Sequence, residues 1–408
     1  MPTPPLRTDD LRRNRARRRP GIPGLLACWI PMTLLAAAAS LTGATPRWVI
    51  SANESKIDLS TGTRRVLMDA PPDTVSFLDF AVFPPSVIHV TNISNTVLGP
   101  PSNVAIRRDG RLALIADSIQ LDPSSTNKFR PARRIHVIDL TTTPPRRVGE
   151  GEAGEQPSGL SITPDGRLAL VANRAGGTVS VLKIDGFALR PLKEIPLAGP
   201  ADEVSDVAIT PDGRRAFVSI REKSHLRELR IEGESVTATD RKISTYGRPY
   251  RVLVTPDGTL ALTAGEGSGS GGDTDALTVV DLTGQLPHSR DYVALGSAPE
   301  SLELSPDGRW LIAVLMNGSH LPPSDPVRSE HGRIALLERV GRSFQLRHSL
   351  DVGRVPEGGV FAPDGRHVVV QCHAEQRLWI LEVKGGRLHD TGLRIAVPGN
   401  PSGMRAGP

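Results

Sequence analysis

The sequence predicts an all-β fold, a seven-bladed β-propeller of four-stranded antiparallel blades, and three observations predict it. A tight Asp-Gly turn recurs at Asp109, Asp165, Asp212, Asp257, Asp307 and Asp364, at intervals of 45 to 57 residues. Each turn follows a start point eight residues upstream, at Pro101, Pro157, Val204, Pro249, Pro299 and Pro356. The two ends of the chain carry complementary parts of one further unit. Units of this length bury their apolar faces only against their neighbours, as in propellers and solenoids.

The elements of a unit follow from its residues. Pro presets φ at the first turn position, Asp bonds its own backbone, and Gly accepts the positive φ of a tight turn. The apolar triplets VAI, LSI, VAI, VLV, LEL and GVF precede the six turns, and runs such as LALIAD, LALVAN and LALTAG follow them. Turn and flanking runs therefore make a hairpin. A third strand rich in β-branched residues comes next: RIHVIDL from Arg134, TVSVLKID from Thr178, LTVVDL from Leu277, RIALLER from Arg333 and RLWILEV from Arg377. A less patterned fourth, such as LKEIPL or RHSLDV, completes the blade. A β-sandwich requires neither the fixed offset nor the regular period.

Six turns account for six blades, and the chain ends supply the seventh. RWVISAN, from Arg47 to Asn53, matches RLALVAN, from Arg167 to Asn173, and KIDLSTG after it is expected to be the third strand. GNPSGMR, from Gly399, copies the blade opening QPSGLSI. The predicted ring is thus closed by N- and C-terminal strands in one blade, which removes free sheet edges.

Residues 1–44 are expected to be a signal peptide and residues 45–408 the propeller. Seven arginines between Arg7 and Arg19 precede the apolar run LLACWIPMTLLAAAASLTGA, which ends in small residues. Pro23 and Pro31 interrupt the run and disfavour a permanent membrane anchor, so contact with a membrane is expected only through an uncleaved leader. A lipid-attachment reading of Cys28 fails because the apolar stretch follows that cysteine. The expected mature chain begins near Thr45 and is periplasmic or secreted. The leader's arginines, less Asp9 and Asp10, equal the formal charge of the whole chain, +5. The mature part is therefore near neutral and has no basic stripe to bind nucleic acid. Only Cys372 remains, which excludes an intramolecular disulfide. A monomer is expected.

VANRAGGTVSVLKID and its relatives resemble the YVTN-type propeller repeat of exported bacterial proteins, a group that includes lactonase-type seven-bladed propellers. The likeness spans the expected mature chain and rests on turn and core residues, so it implies fold more than function. The Trp-Asp signature of WD repeats is absent, and aromatics at 4% leave no tryptophan-docking ladder.

Loops into the first strand and loops from the second to the third share one face. Three of the latter are extended, at 118–133, 265–275 and 317–332. The blade starts bring Asn103, Ser158, Asp206, Arg251, Glu300, Glu357 and Ser402 to the channel mouth on that face. The ends of the second strands add Asn53, Asp117, Asn173, Arg221, Glu266, Asn317 and His373. From these, Arg251, Glu300, Glu357, His373, Asp117, Asn173 and Asp206 are the expected ligand-binding set, with Glu300, Glu357 and His373 as catalytic candidates. The expected ligand is a small molecule or a protein. The alternative is lactone hydrolysis, with a carboxylate or His373 activating water and Arg251 holding an anionic substrate. A polar, water-filled axis accounts for the same residues without any site. No metal or cofactor is expected: His320, His331 and His373 lack a ligand spacing, and the glycines of 265–273 lack the Lys and helix of a phosphate loop. Cys372 ends an apolar strand and reads as a structural thiol.

Overall fold

The computed structural model describes residues 47–268 and 272–407, so the expected signal peptide lies outside the described residues. Seven four-stranded antiparallel sheets form the blades. Blade 1 orders its strands, from the axis outward, as Asn400–Ala406, Trp48–Glu54, Thr74–Asp79 and Ser86–Thr91. In the others the strands run outward in chain order, and their first strands are Val104–Ile106, Pro157–Ile162, Val204–Ile209, Pro249–Val254, Pro299–Leu304 and Pro356–Phe361, in blades 2 to 7.

The turns repeat because their chemistry repeats. In blade 3 the Thr163 hydroxyl donates to Asp165 Oδ1 at 2.6 Å, and the same carboxylate oxygen accepts the Arg167 amide at 3.1 Å. Thr210, Thr255 and Ser305 make the same bond to Asp212, Asp257 and Asp307 in the next three blades. The six turn glycines have φ between 66° and 73°, where a Cβ is strained.

Each blade has two buried faces near the axis and exposed ones outside. Second strands such as Leu168–Asn173 and Leu260–Gly265 are buried at every residue, whereas the fourth strand Ala188–Pro196 is mostly exposed. This explains the unbroken apolar runs of the second strands. The core is accordingly a series of seams, for example Leu170 and Val181 of blade 3 against Val207, Val218 and Leu229 of blade 4. Cys372, fully buried, belongs to the seam between blades 6 and 7, where burial pushes its thiol up.

Closure is as the two ends predict: Asn400–Ala406 pairs antiparallel with Trp48–Glu54, Val49 opposite Ala406 and Glu54 opposite Asn400. One strand is corrected. KIDLSTG does not form the third strand of blade 1; Ile57–Asp58 pairs with Arg65–Val66 in a separate small hairpin, and Thr74–Asp79 takes the third place. The reason is that Ile57, with the half-buried Leu59 and Val66, packs against Val97, Leu98, Ile119 and Phe129 rather than within blade 1. Blade 1 thereby carries a fourth long insertion, residues 55–73, on the loop face. No helix among the described residues is long and apolar enough to cross a membrane.

Candidate functional site

Every blade from 3 to 7 shifts register just after its start residue, and so does the closing strand. This bulge lies between two successive positions, and in blade 5 the side chains on either side of it part: Tyr250 meets Arg174 and Arg221, whereas Arg251 reaches Leu302 and Glu303. The first position carries Ser102, Ser158, Ser205, Tyr250, Glu300, Glu357 and Ser402. The second carries Asn103, Gly159, Asp206, Arg251, Ser301, Gly358 and Gly403. The set expected from the sequence mixes the two, and the structure pulls it apart.

At the loop-face end, Tyr250 lies between two guanidinium groups, with Arg174 and Arg221 centred 5.4 and 5.5 Å from its ring. Glu203 pairs with both arginines, and Arg221 also pairs with Glu266. Arg248 joins the network through Glu222 at 2.8 Å and Glu266 at 3.4 Å. Three arginines thus face three glutamates, and Glu300 and Glu357 are carboxyls in excess of that balance. Burial, then the charge of Glu266, pushes Glu300 up to about 8, against the opposing pull of Arg221 and Arg174. Burial, then Glu300 and Glu54, holds Glu357 well above the carboxylate range. Glu357 is 1% exposed and its Oε1 has no hydrogen-bond partner. Beside it Glu54 is fully buried with both oxygens unpartnered, its nearest cation being Lys56 Nζ at 3.8 Å. Three neighbouring blades therefore present carboxyls shifted toward the neutral acid, the form that donates as well as accepts.

The insertion of blade 1 roofs one side of this mouth. Its apolar residues pack on blade 2, Arg354 of the loop into blade 7 donates to Ser60 O at 2.7 Å, and a Cβ on Gly62 would lie 2.3 Å from Pro322 in the blade 6 insertion. The opposite side, with Arg174, Arg221, Tyr250 and Glu300, keeps partial exposure.

The remaining expected residues go elsewhere. Arg251, 3% exposed, points down the channel, donating from Nε to Leu302 O and from Nη2 to Glu303 Oε2, each at 2.6 Å. Asp206 also lies in the lower channel, its oxygens accepting the Val207 and Val252 amides at 2.9 Å. His373, fully buried, clips the roof to the closing strand: Nδ1 donates to Pro401 O at 3.1 Å, and Nε2 accepts from Leu59 N and Asn400 Nδ2. Burial lowers it to about 4, so it is neutral and faces no channel carboxyl. Asn173 is consumed by Gly154 N, Thr178 and Ser180 within blade 3. Asp117 lies in a cleft of about 810 Å³ between blades 1 and 2, accepting from Ser94 Oγ at 2.7 Å; that hydroxyl is also 3.0 Å from His136 Nε2. Of the expected set, Glu300 and Glu357 meet at the loop-face mouth. Tyr250, Arg174 and Glu54 were missed there, although Tyr250 stands one residue after its start proline, like the two glutamates. Among the described residues no three His, Cys, Asp or Glu side chains are placed to share a metal ion.

Glu300 also gives a pH prediction. A carboxyl raised on folding contributes stability that is present below its ordinary range and lost as pH rises toward 8. Glu300→Gln should therefore flatten the fall of Tm between about pH 5 and 8. Differential scanning calorimetry of both proteins decides it; an unchanged slope would mean that Glu300 ionises as an ordinary surface carboxylate.

No family model matches the chain, and no curated protein does. The YVTN-type repeat accordingly stays a resemblance of the sequence. Solved structures do match. A functionally unknown protein of Desulfotomaculum acetoxidans aligns with a TM-score of 0.67 at 13% identity, over 88% of this chain and 99% of its own. A periplasmic gluconolactonase of Pseudomonas aeruginosa aligns with a TM-score of 0.65 at 18% identity, over 89% and 99%. A proposed 6-phosphogluconolactonase of Bacteroides fragilis gives 0.65 at 16%, over 89% and 98%. At these identities the likeness shows a shared fold: a seven-bladed propeller whose structural neighbours include proteins described as lactonases.

Proposed function

We propose that the protein binds a small oxygen-rich molecule, of the sugar-acid or sugar-lactone class, at the half-roofed loop-face end of its channel. The observation that carries this is the Glu357 carboxyl, 1% exposed, unpartnered at Oε1, and close to the partly exposed Glu300 and Tyr250. Unsatisfied buried polar atoms are costly, and a ligand hydroxyl or carbonyl would satisfy this one. Arg174 and Arg221 would receive an anionic end. The gluconolactonase among the structural neighbours supports the substrate class by likeness of fold. The leader read in residues 1–44 would place this binding in the periplasm or outside the cell.

A second reading, hydrolysis of the lactone, is favoured by Glu300, whose carboxyl sits close enough to neutrality to take and return a proton. Ionised Glu300 would take a proton from water as its oxygen attacks the lactone carbonyl, and the neutral Glu357 acid would protonate the departing ring oxygen, leaving the open hydroxy acid. Gluconate titrated calorimetrically, and glucono-lactone opening followed by pH-stat, separate the readings. Glu357→Gln should weaken gluconate binding by about 1–3 kcal/mol. Glu300→Gln should reduce lactone opening by about 100-fold or more if hydrolysis occurs. Gluconate affinity unchanged in both variants would refute the site, and lactone opening equal to the buffer rate would leave binding alone.

A further inference from the structure

The other end of the channel, on the face of the Asp-Gly turns, holds a cavity of about 500 Å³, to which the first strands of all seven blades contribute. Ile209, Val254, Leu304 and Phe361 from four successive blades give it apolar wall, and Pro164, Pro211, Pro256 and Pro306 of the Asp-Gly turns also line it. Its inner end is charged. Glu303 Oε2 accepts from Arg251 at 2.6 Å and lies 3.2 Å from Arg405 Nη1. Two guanidinium groups thus share one carboxylate. Arg251 is sealed behind it, whereas the Arg405 side chain keeps 25% exposure on the cavity side, and its remaining N–H donors have no partner among the described residues. Asp206, the second acid of the cavity, already accepts two backbone amides, and burial shifts it toward its neutral form. At the rim, Arg108 is exposed and carries no ion pair among the described residues.

We propose that this cavity is a second ligand site, for an amphipathic organic anion whose carboxylate meets Arg405 and whose apolar body lies along the first strands. An apolar pocket of this size with a few convergent polar groups at one end is the usual form of such a site. A planar guanidinium with free donors suits a carboxylate in two-pronged contact. The site is separated from the loop-face mouth by the Arg251–Glu303 pair, so the two are independent. Arg405 belongs to the strand that closes the ring, so a ligand held there would also stabilise closure by mass action.

Octanoate is the probe, titrated calorimetrically into the full chain, with octan-1-ol as the uncharged control. Saturable binding of octanoate is expected, at least about tenfold tighter than the alcohol. Arg405→Met should remove that preference, and Ile209→Trp, which fills the cavity, should abolish binding of both. Glu357→Gln should leave octanoate binding unchanged, which distinguishes this site from the loop-face one. Absence of saturable binding at millimolar octanoate, equal affinity for acid and alcohol, or loss through Glu357→Gln would each overturn the proposal. If Ile209→Trp fails to show a cooperative melt, Arg405→Met and the alcohol control decide alone.

Discussion

Removal of residues 400–408 is expected to abolish the folded propeller rather than trim it. The strand Asn400–Ala406 pairs along the length of Trp48–Glu54, and it also joins blades on either side: Gln371 Nε2 donates to Gly403 O at 2.9 Å, and Met404 N donates to Pro101 O at 3.1 Å. Met404 is 1% exposed in the seam with Val360, Val369 and Ile380. Losing the strand forfeits a ladder of hydrogen bonds at about 1 kcal/mol each, together with the burial of Met404. It also leaves the wholly buried Trp48–Glu54 as a free apolar edge. The loss, on the order of 5 kcal/mol or more, rivals the entire stability of an ordinary domain. Circular dichroism during urea unfolding measures it: a truncated chain with a cooperative midpoint close to that of the full chain would defeat the closure argument. Gly403→Val is a subtler test, since a Cβ there would lie 1.5 Å from Asn103 Oδ1, and it should destabilise in the same direction.

The fold was legible in the sequence because its determinants are local and repeated. A hydroxyl, a proline, an aspartate and a glycine in a row specify the same turn wherever they occur, and an unbroken apolar run of six residues specifies a strand covered on both faces. KIDLSTG was misread for the complementary reason. Its alternation fits a strand, and only the distant Val97, Ile119 and Phe129 make it a roof instead. The site was half legible. Glu300 and Glu357 stand at one position of the repeat, but Asp206 and Arg251 stand one residue further on, and beyond the bulge that single step carries a side chain to the other end of the channel. His373 looked available because it ends a strand at the mouth; the insertion of blade 1 and the closing strand between them take up both its ring nitrogens. Register within a repeat can be counted from sequence, whereas which insertion folds over which blade depends on contacts hundreds of residues apart.

Arg251→Ala is expected to lower stability and to leave the loop-face site unaffected. With 3% exposure, the guanidinium is held by Leu302 O and Glu303, and none of its hydrogen bonds reaches the carboxyls at the mouth. Breaking a buried ion pair by removing one partner costs about 3–5 kcal/mol, chiefly because the other charge is left uncompensated. Here Arg405, 3.2 Å from the same oxygen, retains part of the compensation, so a loss of about 2–4 kcal/mol is expected. The companion variant isolates the cause. In Arg251→Met with Glu303→Gln the carboxylate that Arg251 bonds is removed with it, and the double variant should recover part of the stability that Arg251→Ala loses. Urea midpoints of the three proteins, with gluconate titrated into each, measure both halves of the expectation. Unchanged stability together with lost gluconate binding would mean that Arg251 reaches the ligand itself, and the division of the channel into two independent ends would then be wrong.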